Sequence, residues 1–184
     1  IVCPGFIDMH SHDDFNLPVN PMVPGKTVQG VTTQVTGNCG FSPAPVFPSA
    51  VKAFSEVAAF LNSGLDFHWQ SMGAFLAELP PTGCNVVQLV GHIPVRCSVM
   101  GMEDRPPTDS ELQHMQALVA EAMQSGAFGF STGLYYPPCC FADIEEIVAL
   151  NQVAVDFGGG YHTHMRDPRL GVFDSTREAL EIGR

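Results

Sequence analysis

The chain has 184 residues, 45% of them apolar and 15% charged, with 8 basic against 19 acidic residues and a net charge of −11. That apolar content excludes a disordered segment, and the acidic balance excludes nucleic acid and anionic membrane surfaces, which both want a basic patch. No apolar run reaches the ~18 residues that span a bilayer, and no basic stretch precedes an apolar one as in a signal peptide.

In chain order the sequence reads as repeated strand–loop–helix units. A first strand is predicted over residues 5–10 and a β-branched second over residues 31–36. Ser49 then caps a helix carrying Val51, Phe54, Val57, Ala58 and Leu61, ended by Gly64. Ser71 opens a shorter helix with Met72, Phe75, Leu76 and Leu79, stopped by Pro80 and Pro81. A third strand follows at residues 85–90. Thr108 and Glu111 form a capping-box pattern before the stripe Leu112, Met115, Leu118, Val119, Ala122 and Met123. A fourth strand is expected at residues 127–131. Asp143 with Glu146 repeats the capping pattern before Ile147, Leu150, Val153, Ala154 and Phe157. A fifth strand is expected at residues 160–164, and Ser175 with Glu178 begins a last helix.

Strands alternating with helices over short connections mean parallel βα units, closed as an open doubly wound sheet or a (β/α)8 TIM barrel. A Rossmann sheet should show G-x-G-x-x-G after its first strand; His10-Ser11-His12 stands there instead. His10, Cys39, His92, Ser131 and His164 all fall at or just past predicted strand ends, and in a βα barrel those ends converge on one catalytic face. The fold class expected is therefore α/β, a partial (β/α)8 barrel of about five units. Residues 1–184 would form part of a catalytic barrel, and Ile1 and Arg184 read as cut points.

Residues i and i+2 of a strand share a face, so His10 and His12 can bind one metal; the alternative is two unrelated loop histidines. Asp8 could orient one of them, while Asp13 and Asp14 read as a polar loop. Cys39 lies between Gly37-Asn38 and Gly40, where the backbone can turn sharply and present a thiol. Beside a divalent metal that thiol is a ligand; otherwise it is a small buried hydrophobe. His162-Thr163-His164 is a second H-x-H, and spacing does not say which of the two reaches a metal. Arg166 can bind a substrate carboxylate in a bidentate fork, or pair with Asp167. His92 reads best as a loop-bracing hydrogen bonder. Tyr135 and Tyr136 can line a pocket or simply pack. The six cysteines sit among periodic segments without a CxxC pair, which points to reduced thiols in a cytoplasmic protein.

Four segments together resemble the amidohydrolase superfamily and, within it, the N-acyl-D-amino-acid deacylases (D-aminoacylases). They are Pro4-Gly-Phe-Ile-Asp-Met-His-Ser-His-Asp-Asp14, residues 30–45 with Gly-Asn-Cys-Gly-Phe-Ser-Pro-Ala-Pro at their end, Ser131-Thr-Gly-Leu-Tyr-Tyr-Pro137, and Tyr161-His-Thr-His-Met-Arg-Asp167. The H-x-H marks only the superfamily; the Cys39 segment is specific to the deacylase branch.

The resemblance implies a hydrolase with one or two Zn2+ ions, His10, His12, Cys39 and His164 as metal ligands, and Tyr136 beside the substrate. His162 is left out, since its family position is not usually histidine. A further ligand histidine, a catalytic aspartate and the last barrel units are implied beyond residue 184, and a small β-domain assembled from both chain ends is implied outside residues 1–184. The reaction implied is hydrolysis of the amide of a small-molecule N-acyl-D-amino acid, with Arg166 or a downstream basic residue on the carboxylate. One rival is a hydantoinase- or dihydroorotase-like cyclic amidase, which needs a strand-4 lysine where this chain has only Lys26 and Lys52. The other is a catalytically inert metal-binding piece. The sequence does not set an oligomeric state.

Overall fold

The computed structural model describes residues 2–61 and 64–184; Ile1, read above as a cut point, lies outside them. The strands are β1 (Phe6–Asp8), β2 (Val31–Thr36), β3 (Asn85–Gln88), β4 (Val90–Gly91), β5 (Gly129–Gly133) and β6 (Gly160–His164). The α-helices are α1 (Pro24–Thr27), α2 (Val51–Val57), α3 (Met72–Glu78), α4 (His92–Met100), α5 (Asp109–Gln124), α6 (Ile144–Asp156) and α7 (Val172–Ile182). No helix among the described residues is long and apolar enough to cross a membrane.

Every strand pairing is parallel, in the order β1-β2-β3 and β4-β5-β6. The third predicted strand is split at Leu89, and the split joins the two sheets. Leu89 N donates to Thr36 O at 2.9 Å on one side, and Phe128 N donates to Gln88 O at 2.8 Å on the other. The spatial order therefore follows the chain order. β5 is buried along its whole length, as a parallel strand covered on both faces should be. Its cover is the stripe Met115, Leu118, Val119 and Ala122 of α5 with Ile147, Leu150 and Ala154 of α6.

The caps follow the sequence reading closely. Ser71 Oγ accepts from Ala74 N, and Thr108 with Glu111 completes a reciprocal capping box. Elsewhere the boundaries differ. α2 stops at Val57, well short of Gly64, and starts after Ala50 rather than at a Ser49 cap. The last helix begins at Val172 rather than Ser175, whose hydroxyl accepts instead from Asp167 N at 2.9 Å. β5 lies two residues later than expected, so Ser131 is mid-strand and not at a strand end. α4 has no counterpart in the sequence reading because it is buried on nearly all sides and so shows no amphipathic period. Its Pro94 sits in the first turn, where a helix has no N–H partner to lose.

Asp143 caps α6 by accepting from Glu146 N at 2.8 Å, but Glu146 does not reach back. Its carboxylate is buried against His92 Nε2 at 2.7 Å and Arg96 Nε at 3.0 Å. Arg96 in turn donates to the carbonyls of Glu103 and Arg105 at 2.9 and 2.7 Å. Burial works to raise the Glu146 pKa, but His92 and Arg96 outweigh it and hold the group below its ordinary value. His92 is thus the brace that its loop position suggested, inside a helix rather than a loop. Removing the anion alone leaves a buried guanidinium uncompensated. Glu146→Ala should cost about 3–5 kcal/mol, read by urea unfolding; a cost under about 1 kcal/mol would show that the triad is not a stabilising unit.

Candidate metal centre

β1 ends at Asp8, so His10-Ser11-His12 lies past the ladder. The segment is tied to β2 by Ser11 N donating to Val35 O at 2.9 Å. His12 then enters a 3-10 turn, Asp13–Phe15, anchored by the fully buried Phe15. Asp8 does help orient His10, but through the main chain: its Oδ1 accepts from His10 N at 3.1 Å. Asp14, read as loop polarity, is fully buried beside Gln88 Nε2 at 3.2 Å, and burial pushes its carboxyl up to about 7.

The second arm follows β2. Gly37, Cys39 and Gly40 have φ of 79°, 55° and 76°, a left-handed turn in which Cys39 is one of two non-glycine positive-φ residues among those described. Ser131 of β5 holds this turn: its Oγ accepts from Gly40 N at 3.1 Å and donates to Gly37 O. Asn38 Nδ2 donates to Val35 O at 2.9 Å and to Ser11 O at 3.3 Å, linking the thiol arm to the histidine arm.

The two arms bring three side chains together. Cys39 Sγ stands 3.3 Å from His10 Nε2, and the His10 and His12 rings lie 5.4 Å apart at 73°. One ligand atom from each of His10, His12 and Cys39 falls within 4.8 Å of the others. Burial pushes the Cys39 thiol up to about 11. Burial, aided by the nearby His10 charge, takes His12 down to about 4, so its imidazole is neutral at pH 7. His12 Nδ1 is buried with no hydrogen-bond partner among the described residues. Two imidazoles and a thiol suit tetrahedral zinc in donor type, and an orphaned buried ring nitrogen fits a polar group that awaits a ligand.

His164 closes β6, in register with Gly133, and is not within the three-residue group. Its ring lies 5.0 Å from that of Tyr136 and 5.8 Å from that of Tyr135. Burial and then the charge of His10 lower the pKa of both His162 and His164. Tyr136 packs on Phe41 at 5.3 Å, and Phe41 lies 6.4 Å from the His12 ring. Burial raises the Tyr136 hydroxyl pKa. An aromatic wall thus runs from the H-x-H to His164.

Arg166 does not offer a free fork. Its Nε and Nη2 clasp Glu178 at 3.1 and 2.9 Å, and its Nη1 and Nη2 donate to the carbonyls of Cys140 and Ala142. Among the described residues one Nη1 hydrogen is left over. The partner is Glu178, one turn or more into α7, rather than the adjacent Asp167. Sequence reasoning placed Ser131 on the catalytic face but not as the brace of the Cys39 turn, and gave no role to Asn38 or to Lys26 at the site, since a polar residue one strand away carries no spacing signal.

No family model matches the chain. An N-acyl-D-aspartate deacylase of Alcaligenes xylosoxydans xylosoxydans is 40% identical over all of this chain and 37% of its own length. A D-aminoacylase structure described by its binuclear metal centre superposes with a TM-score of 0.90 at 40% identity, over 98% of this chain and 38% of that one. An N-acyl-D-glutamate deacylase from Bordetella Bronchiseptica, solved with zinc and a phosphonate mimic of the tetrahedral intermediate, gives 0.87 at 37% identity, over 98% of this chain and 38% of that one. The chain thus spans under two-fifths of the relatives that it matches.

Proton counting tests the site. At pH 8 a thiol with a pKa of about 11 is protonated, and a histidine with a pKa of about 4 is not. A metal that took Cys39 as a ligand would therefore expel its proton. Zinc titration in buffers of different ionisation enthalpy should show about one proton more released by the natural protein than by Cys39→Ala. Equal release would take Cys39 out of the ligand set.

Proposed function

Because the chain belongs to the amidohydrolase family of the N-acyl-D-amino-acid deacylases, we propose that it forms part of a zinc-dependent hydrolase cleaving N-acyl-D-amino acids to a carboxylate and a free D-amino acid. The observation that carries this reading is the Cys39 thiol 3.3 Å from His10, inside one donor group with His12. The cyclic amidase reading needs a lysine on the fourth strand. The two lysines of the sequence, Lys26 and Lys52, stand instead on α1 and α2.

In this reading residues 1–184 are the first five units of a (β/α)8 barrel, with residues 85–91 counting as one strand. The sequential parallel order and the helices between strands support it. His10, His12 and Cys39 hold the metal, with His164 completing the set from β6. A bound zinc supplies Lewis acidity and a water of lowered pKa. Tyr136, held against Phe41 and His164, lines the substrate side with its hydroxyl protonated at neutral pH. Arg166, its fork committed to Glu178, offers one N–H to the substrate carboxylate and fixes the loop that carries it. The six unpaired cysteines suit a reducing, cytoplasmic compartment.

The natural protein should release free amino acid from N-acetyl-D-amino acids and not from their L enantiomers. His10→Ala and Cys39→Ala should each lower kcat/KM by about 100-fold or more, the loss of several kcal/mol of transition-state stabilisation, with zinc content falling alongside. Turnover of hydantoins without linear amides would favour the cyclic amidase, and unchanged activity in both variants would dismiss this centre.

A further inference from the structure

Lys26, on the short helix α1, is the hub of a cluster that neither the metal set nor the substrate residues include. Its Nζ lies 2.8 Å from Asp8 Oδ2, 2.5 Å from Ser11 Oγ and 2.9 Å from Gln34 Oε1. Asp13 Oδ2 is 3.0 Å away. Asp8, Ser11 and Gln34 accept the three ammonium hydrogens and Asp13 adds an ion pair; three of these four partners belong to residues 8–13, the stretch that carries both histidines. They are its first residue, the residue between His10 and His12, and the residue that follows His12. The fourth, Gln34, is buried on β2.

We propose that Lys26 is a positioning residue of the metal centre: one ammonium gathers Asp8, Ser11 and Asp13 and thereby holds the two imidazoles in ligating geometry. The inference rests on the metal-centre reading above. Its physical basis is that His10 and His12 stand past the end of β1, where the ladder no longer sets their geometry. Side-chain bonds take over. Asp8 accepts from His10 N at 3.1 Å, and Ser11 Oγ accepts from Asp13 N at 3.1 Å. Both acceptors are themselves held by Lys26.

Charge gives a second reason. Asp8 and Asp13 side chains are 32% and 25% exposed, so they are only partly screened by water. Without the ammonium two carboxylates would face each other beside a site for a dication. They would repel and pull the histidine arm apart, or turn towards the metal as competing oxygen ligands. Lys26 prevents both by engaging the Oδ2 atoms of the pair. Partners that orient ligands without touching the metal are worth about 10–100-fold in affinity.

A double-mutant cycle on zinc affinity, read by chelator competition in the natural protein, tests this. Lys26→Met should weaken zinc binding about 10-fold or more. The metal-free protein should keep its circular dichroism and its melting temperature to within a few degrees. In an Asp8→Asn/Asp13→Asn background the same substitution should cost clearly less, because no carboxylate pair is left to restrain. Unchanged affinity in Lys26→Met, or an equal loss in both backgrounds, would overturn the proposal. Should Lys26→Met fail to fold, Lys26→Gln is carried through the same cycle with the same criteria. Failure of the underlying reading looks different: Cys39→Ala would then bind zinc as tightly as the natural protein does.

Discussion

The centre depends on one close approach of main chain to main chain. The left-handed turn at Gly37–Gly40 is pressed against the ends of the neighbouring strands so tightly that side chains do not fit. A Cβ on Gly40 would lie 2.6 Å from Gly133 N, and one on Gly133 would lie 2.0 Å from Cys39 O. Real Cβ atoms do not come that near, so β5 and the turn meet only because both positions are glycine. The contact leaves Cys39 no freedom to move away. Its φ of 55° is unfavourable for a side chain with a Cβ and persists because Ser131 and the surrounding strands over-determine it. Everything that the thiol does, including its distance to His10, follows from that confinement.

The polar groups around the turn divide into two electrostatic classes. Two members of the donor set are kept uncharged: burial raises the Cys39 pKa and lowers that of His12, so neither carries charge at neutral pH. Uncharged donors in a half-buried place cost little to desolvate, and they gain when a cation arrives. Charges, by contrast, are paired. Lys26 is matched to Asp8 and Asp13, Arg166 to Glu178, and Arg96 to Glu146. The acidic composition is therefore not what prepares the site for a cation. Asp8 and Asp13, which bracket the two histidines in the chain, are already committed to Lys26.

Much of this was legible in the sequence, and the boundary of what was legible is physical. Caps at Ser71, Thr108 and Asp143 were readable because a cap is a local event between residues three apart. Amphipathic α5 and α6 were readable because each is buried on one side. α4 was not, since a helix buried nearly all round has no period to detect. Cys39 was singled out by its glycines, and the histidines by their spacing. What could not be read is the scaffolding that crosses between strands. Ser131 holds the Cys39 turn through a bond to Gly40 N that spans a sequence separation of 91. Arg166 illustrates the same limit in reverse. Its residue type suggested a free fork, yet Glu178 and two carbonyls take most of it.

The tie between Cys39 and His164 completes the logic, because these two come from strands far apart in the chain. No side chain bridges them directly among the described contacts, yet their relative position is set in two rigid steps. Gly133 is pressed on the Cys39 carbonyl, and Gly133 is also the register partner of His164 on β6. Leu134 N then donates to His164 O at 2.9 Å, holding the end of β6 to β5 past the last ladder pair. Main-chain packing and ladder bonds are stiff, so the histidine inherits its placement from the turn with little slack. Tyr136, whose N donates to Gly133 O at 2.9 Å, hangs from the same point and lies against the same histidine. One glycine thus references a thiol, an imidazole and a phenol to a single backbone position. That is why side chains carried by β5, β6 and the turn after β2 keep a fixed relation although no side chain ties Cys39 to His164.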